Sequence, residues 1–391
     1  MSSTIQPVPP EAARIAAIVL AAGYSSRMVE FKPLLPLGGG TAFEHVISLF
    51  RAAGIAEVIA VLGYRAEELQ PMAERAGARW VCNPRFEQGM FSSIVAGSRA
   101  LPDWVEAAFV LPADIPLARP GTVRQLAATF AERRPDIAYP VFDGRRGHPP
   151  LIARAILDEA AKEGEAGPLF ALLARHERNA IELPVADEAI HLDMDTQADY
   201  DALCMLADHR EIPTVAECLA ILANLHIEPS VFGHSRKVAE VAHRLTHALK
   251  RRGMALNLDL VRAGALLHDI AKGKPDHAAA GEELLRRMEF PQVAAIVAAH
   301  TELEPDFSLD ESAIVYLADK LVRGEEIVTI AQRFQPALDR FRDDPLALQA
   351  AQARLAIAQQ VAHSIEARLG VPLSAVVEED ADQLADKMGT I

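Results

Sequence analysis

Six residues in the second half of the chain have the types and the company of a metal centre. They are His234, the adjacent pair His268-Asp269, His277, His300 and Asp319. Imidazole is a common transition-metal ligand, and a carboxylate can join two ions. The chain holds 13 histidines, so any one alone reads better as structural, and His243 and His247 stay in that class. Context separates the six. The run Ala265-Leu266-Leu267-His268-Asp269 sets the pair at the end of an apolar helix, and Ile314-Val315-Tyr316-Leu317-Ala318-Asp319 sets a carboxylate on another. A charge facing such packing is costly unless it is paired or bound to metal. Lys272 and Arg323 lie close to these residues in the chain, and Arg323 reads as a solvated surface residue.

A second group lies near the start. Leu20-Ala21-Ala22-Gly23-Tyr24-Ser25-Ser26-Arg27-Met28 follows an apolar run, and Lys32-Pro33-Leu34-Leu35-Pro36 comes shortly after it. Small residues at the end of a strand let backbone N–H groups approach phosphate oxygens, which makes Ala21, Ala22, Gly23 and Ser25 nucleotide-binding candidates. Arg27 offers a planar fork of donors and Lys32 a point charge. No GK[ST] follows these glycines or Gly38-Gly39-Gly40-Thr41, so this is not a P-loop. Asp114, in Ala113-Asp114-Ile115-Pro116, is a carboxylate just past another apolar run. Ser92 and Ser93 are expected to open a helix, capping it or touching substrate.

The elements that would carry these groups change character along the chain. Ile15–Leu20, Val58–Leu62 and Ala108–Leu111 are short apolar runs, with helical patterns between them over Thr41–Ala53 and Ala66–Ala76. Buried strands alternating with helices predict a parallel sheet covered on both faces. After about Ala202 the strand signals stop. Helical stretches follow over Thr214–Leu225, His234–Lys250, Leu260–Ala271, Ala278–Met288, Glu311–Val322 and Pro345–Leu369, punctuated by Gly and Pro. The expected division is an irregular terminus at 1–12, an α/β domain at 13–206, an all-α domain at 214–340 and a helical extension at 341–391.

Composition removes several classes. The chain has 391 residues and a formal net charge of −15, which argues against a binder of nucleic-acid backbones. Cys82, Cys204 and Cys218 are scattered, with no pair spaced for zinc or a disulfide framework. No secretory pattern opens the chain and no apolar run is long enough to span a bilayer, so a cytoplasmic enzyme is expected.

The order LAAGxSxRM then KxLLP resembles the nucleotidyltransferase family that includes the molybdenum-cofactor cytidylyltransferases and guanylyltransferases, and more distantly the sugar-phosphate nucleotidyltransferases. Asn83-Pro84 with Gly89-Met90-Phe91-Ser92-Ser93-Ile94, the Asp114 segment, Gly144–Pro149 (GRRGHP) and Leu192-Asp193-Met194-Asp195-Thr196 continue the resemblance in order over about Ile15 to Leu203. It implies a Rossmann-like domain that moves a nucleotide from an NTP to a phosphorylated acceptor such as molybdopterin and releases pyrophosphate. Asp114 would hold Mg²⁺ with Asp193 or Asp195, and Asn83, Ser92 and Ser93 would join the nucleotide site. Val29 stands where the family usually has glycine. Ala22, where guanylyltransferases usually have glycine, favours CTP. A sugar or polyol phosphate is the alternative acceptor, and molybdoenzyme maturation proteins are the implied partners.

The pattern H…HD…H…H…D resembles the HD-domain phosphohydrolases over about Val231 to Val322, and His277 with His300 resembles their dinuclear subgroup. That resemblance implies that Asp269 bridges two ions, one held with His234, His268 and Asp319, the other with His277 and His300, with Lys272 as a phosphate contact. Nitrogen and oxygen ligation suits iron or manganese ahead of zinc or nickel. The alternative is a helical domain that binds a nucleotide only to regulate the transferase.

Overall fold

The computed structural model describes residues 14–24, 28, 30–163 and 169–377. The 1–12 terminus, Ser25, Arg27, Val29 and the end of the 341–391 extension from 378 onward lie outside the described residues. The chain divides into two compact units, Met1–Arg210 and Glu211–Ile391.

In the first unit the strands are β1 (Ile15–Ala21), β2 (Pro36–Leu37), β3 (Gly40–Thr41), β4 (Glu57–Leu62), β5 (Arg79–Cys82), β6 (Ala107–Pro112), β7 (Ile137–Phe142), β8 (Arg145–Arg146), β9 (Leu151–Ala153) and β10 (Ala180–Pro184). The helices are α1 (Ala42–Ala52), α2 (Ala66–Arg75), α3 (Met90–Ala100), α4 (Pro120–Arg133), α5 (Arg154–Glu163), α6 (Leu169–Ala174) and α7 (Gln197–Asp208). The main sheet runs β10-β7-β9-β6-β1-β4-β5, with β8 on β7. It is mostly parallel, while β9 runs antiparallel to β6 and β7.

Every residue of β1 is buried because both faces of the sheet are covered. Ala16, Ile18 and Leu20 share one core with Ile94 of α3 and Ile156 of α5. On the other face Phe50 of α1 meets Phe109 of β6, ring centroids 5.6 Å apart. Gly97 sets how closely α3 lies on the sheet, since a Cβ there would come within 2.5 Å of Ile18 Cγ2. Leu20 pairs in register with Val61 of β4 and Pro112 of β6. The C-terminal ends of these three parallel strands therefore open on one edge, which brings Ala21–Gly23 and Asp114 together.

The second unit comprises α8 (Val215–Asn224), α9 (Pro229–Arg251), α10 (Leu258–Leu267), α11 (His277–Arg287), α12 (Pro291–Ala299), α13 (Glu311–Lys320), α14 (Ile330–Arg340), α15 (Pro345–Leu369) and α16 (Ser374–Val377). Two details differ from the sequence expectation. The strand signal does not stop entirely: β11 (Val322–Arg323) and β12 (Glu326–Ile327) form an antiparallel hairpin. Two-residue strands around a glycine at φ +61° leave no alternating pattern to read. The helix expected to reach Ala271 ends at Leu267, so His268 is its C-cap and Asp269 lies beyond it.

The core of this unit gathers Val238 and Leu245 from α9, Ala265 from α10 and Tyr316 and Leu317 from α13. Ala358, Val361 and Ile365 of α15 belong to the same buried cluster, so that helix is part of the core. Asp344 caps its start and Gly370, at φ +74°, its end. Among the described residues no helix is long and apolar enough to cross a membrane.

Candidate functional site

The first site forms where β1 ends. Ala113 N–H donates to Leu20 O (2.9 Å) and Tyr64 N–H donates to Ala22 O (3.0 Å), so the neighbouring strand ends hold the small-residue loop from both sides. Gly63 permits this approach, because a Cβ there would sit 2.8 Å from Ala22 O and from the Phe86 side chain. Under the loop lies a cavity of about 390 Å³ lined by Ala21, Ala22, Gly23, Lys32, Ser93, Asp114 and Asp195, among others.

Lys32 is buried at the floor of that cavity. Its Nζ lies 2.7 Å from Asp195 Oδ1 and 3.3 Å from Asp114 Oδ2, an ammonium held between two carboxylates from distant parts of the chain. Met194 N–H donates to Asp114 O (3.0 Å). A capping box between Thr196 and Asp199 then fixes the first turn of α7 directly after Asp195. Asp193 is exposed and outside the cavity lining. Partial desolvation, then Asp195 and Asp114, push its carboxyl above the ordinary range. The cavity thus presents the carboxylates of Asp114 and Asp195, the donor type that suits a hard divalent cation.

The serines take other places than their motif suggests. Their helix starts earlier, at Met90, with Gly89 as N-cap and no side-chain cap, so Ser92 and Ser93 are not its cap. Asn83 Nδ2 donates to Ser92 Oγ (2.9 Å) and Ser93 Oγ (3.0 Å), a buried bracket joining the end of β5 to α3. Ser93 lines the cavity, whereas Asn83 and Ser92 do not. Sequence reasoning passed over Tyr24, Phe86, Glu87 and Met90, which also line it. Tyr24 donates to Glu87 Oε1 (2.6 Å) and its ring meets Phe86 at 5.2 Å, closing one wall. An aromatic inside a loop of small residues is the signal that could have found it.

The second site lies at helix ends. His268 follows the last residue of α10, His277 opens α11, His300 follows α12, and Asp319 sits near the end of α13. Nδ1 of His234, His268 and His300 faces the carbonyls of Gly324 (3.0 Å), Ala265 (2.8 Å) and Val297 (2.5 Å). With each Nδ1–H donated there, Nε2 keeps its lone pair for the centre. Nε2 of His268 is buried and has no hydrogen-bond partner. Asp269 stands between two nitrogen sets. Its Oδ1 is 3.3 Å from His277 Nε2 and 3.6 Å from His300 Nε2, and its Oδ2 is 3.5 Å from His268 Nε2. Asp319 Oδ1 lies 3.1 Å from His234 Nε2 and 3.8 Å from His268 Nε2.

His234, His268 and Asp269 form one group able to hold an ion, and Asp269, His277 and His300 a second, with Asp269 common to both. Burial pushes the His268 imidazole down to about 4, against the pull of Asp319 and Asp269. Burial works to raise the Asp319 carboxyl, but Lys320, His234 and His268 outweigh it and hold the group well below its ordinary range. Asp269 is likewise held low, burial being outweighed by His300, His268 and Lys272. Anionic carboxylates beside a neutral imidazole are the protonation states that metal ligation requires. The residues fit two transition-metal ions.

Lys272 Nζ donates to Asp269 Oδ2 at 2.8 Å. Two cations beside Asp319, Lys320 and Arg333, were not found from sequence. Lys320 is signalled only by its place next to the ligand, and Arg333, fourteen residues on, by nothing.

Known proteins match the chain in two stretches. The MobA-like NTP transferase domain matches residues 17–180 and the HD domain residues 231–324. The chain is 29% identical over 185 residues to the molybdenum cofactor cytidylyltransferase of Escherichia coli (strain K12), covering 47% of this chain and 92% of that protein. It is 32% identical over 151 residues to the bifunctional protein GlmU of Pelobacter propionicus, covering 38% of this chain and only 32% of that one. Among solved structures, Rv0371c from Mycobacterium tuberculosis H37Rv aligns at 26% identity with a TM-score of 0.45, covering 49% of this chain and 98% of that one. Both matches fall on the residues described above: the chain is an enzyme with a stretch similar to the MobA-like NTP transferase domain followed by one similar to the HD domain.

Proposed function

We propose that the first unit transfers a nucleotide from an NTP, with CTP preferred, to a phosphorylated acceptor such as molybdopterin. An acceptor phosphate oxygen bonds to the α-phosphorus, the bond to the bridging oxygen breaks, and pyrophosphate leaves. The observation that carries this reading is Lys32 between Asp114 and Asp195 at the floor of the cavity under Ala21–Gly23. Loop N–H groups with Ser25 and Arg27 bind the triphosphate, and Lys32 faces the charge that develops on the leaving group. Asp114, with Asp195 or Asp193, would hold Mg²⁺, which when bound screens the α-phosphate and the pyrophosphate. The E. coli relative's name supports CTP and the molybdenum cofactor.

In the same reading the second unit is a phosphohydrolase. His234, His268, Asp269, His277, His300 and Asp319 would hold two ions, iron or manganese, that polarise a phosphate and acidify water when bound. Lys272 steadies Asp269 and faces the substrate. The enzyme works in the cytoplasm, with molybdoenzyme maturation proteins as its partners. Pyrophosphate release is measured with each of the four NTPs, Mg²⁺ and molybdopterin, alongside phosphate release by the metal-loaded protein. Release with CTP only in the presence of the pterin supports the first half. Phosphate release that disappears in Asp269→Ala supports the second, and metal-loaded protein that turns over no phosphate ester leaves the helical unit a regulatory module.

A further inference from the structure

Three cations converge on the two carboxylates of the histidine cluster, and they are not equivalent. Lys320 is buried, its Nζ donating to Asp319 Oδ2 (2.7 Å) and His300 O (3.1 Å) and lying 4.8 Å from the Tyr316 ring centroid. Its donors are spent inside the fold. Lys272 reaches Asp269 but keeps 51% of its side chain exposed. Arg333 comes within 3.9 Å of Asp319 Oδ1, an ion-pair distance too long for a hydrogen bond. Its Nε is buried and has no hydrogen-bond partner, while 35% of the side chain is exposed. A guanidinium carries five donors in a fixed plane, so this one stands beside a ligand carboxylate with its fork unspent.

The fold holds Arg333 there by short connections. The chain leaves Asp319 at the end of α13 and turns through the β11–β12 hairpin, where Gly324 O accepts from His234. It then enters α14, whose start is fixed by a capping box between Thr329 and Gln332. Phe334, next to Arg333, is buried in the core and fixes how α14 is rotated.

We propose that Arg333 and Lys272 form a clamp that binds a dianionic terminal phosphoryl group over the cluster, so that the second site takes phosphate monoesters ahead of diesters. The inference rests on the phosphohydrolase reading and names its substrate class. A diester carries one negative charge at phosphorus, whereas a monoester carries ≈ −1.5 to −2 at neutral pH and exposes three acceptor oxygens. Two of those oxygens match a guanidinium fork, and the second charge suits a second cation. On a chain of net charge −15, such a local concentration of positive charge is the feature that selects an anion.

The test uses the full chain reconstituted with Mn²⁺. Inorganic phosphate binding is measured by calorimetry, metal per chain by elemental analysis, and turnover with p-nitrophenyl phosphate and bis(p-nitrophenyl) phosphate. Arg333→Gln should weaken phosphate binding about tenfold or more with metal content unchanged, and raise KM for the monoester more than for the diester. Arg333→Lys should recover only part of the loss, because a point charge lacks the fork. Wild-type phosphate affinity in Arg333→Gln overturns the proposal. So does a parallel loss of metal, which would reduce Arg333 to a support for Asp319, and so does wild-type preference for the diester. A wild-type protein that binds phosphate through Arg333 but cleaves neither ester supports the clamp and removes the hydrolase reading.

Discussion

The two units each gather carboxylates and cations in one place, with different materials. The transferase cavity is made of loops at strand ends, is open to solvent and offers a metal only oxygen. Asp114 and Asp195 each keep more than a quarter of their side chains exposed. The histidine cluster is made of helix ends, offers mostly nitrogen and is closed: His268 and Asp269 expose 0% and 3% of their side chains. Backbone carbonyls fix three of its imidazoles, whereas Asp114 and Asp195 share one buried ammonium. Oxygen-only, partly exposed carboxylates would suit a hard ion that arrives and departs with a nucleotide, and buried imidazoles with fixed tautomers a resident one.

The largest expected effect is that the two chemistries separate. Asp114→Ala should cost at least ~10²-fold in nucleotidyl transfer and leave phosphohydrolase turnover and transition-metal content unchanged. Asp269→Ala should do the reverse, and a folded variant that loses both activities would break the contrast. A second expectation concerns residence. Protein purified without chelator should carry close to two transition-metal ions in the cluster and none in the transferase cavity, and His277→Ala should lower the content toward one. Protein that gains no transition metal on reconstitution would remove the resident site.

A smaller effect tests whether the units hold their cores separately. A Cβ on Gly97 would come within 2.5 Å of Ile18, and one on Gly264 of α10 within 2.7 Å of Ile296. Each Gly→Ala change should destabilise its own unit by about 1–3 kcal/mol through overpacking, less the ~1 kcal/mol that alanine gains in a helix. Calorimetry should show one transition lowered in each variant, and a common shift of both would mean the units unfold together. The smallest effect is base choice. Ala22→Gly should move preference from CTP toward GTP by about tenfold or less, since one methyl group in a pocket discriminates weakly. Better use of GTP by the unchanged enzyme would reverse this reading.

How much of this was legible in the sequence follows the range of the interactions. Strands such as Ile15–Ala21 announce themselves because burial on both faces demands an unbroken apolar run. Strands β5 and β10 leave weaker traces: each lies at an edge of the sheet and has no fully buried residue, so neither needs such a run. His268, Asp269 and Asp319 are readable because polar groups at the ends of apolar runs are costly to bury, the other three candidates because they complete a spaced pattern, and the six do meet in space. Asn83 and Ser92 share a motif with Ser93, yet the motif carries no sign of which side chain turns toward the cavity. Arg333 is invisible because its role depends on a hairpin and a helix rotation that no local pattern encodes.

The β11–β12 hairpin carries one further consequence, for tolerance to change in chain length. Surface turns are ordinarily where insertions are accepted at little cost. This one spans Val322–Ile327, lies between Asp319 and Arg333 in the chain, and supplies through Gly324 the carbonyl that orients His234. One added residue would shift that carbonyl and re-aim α14 at the same time. A turn that looks dispensable by exposure thus acts as a ruler, and its length is as constrained as the identity of the side chains it separates.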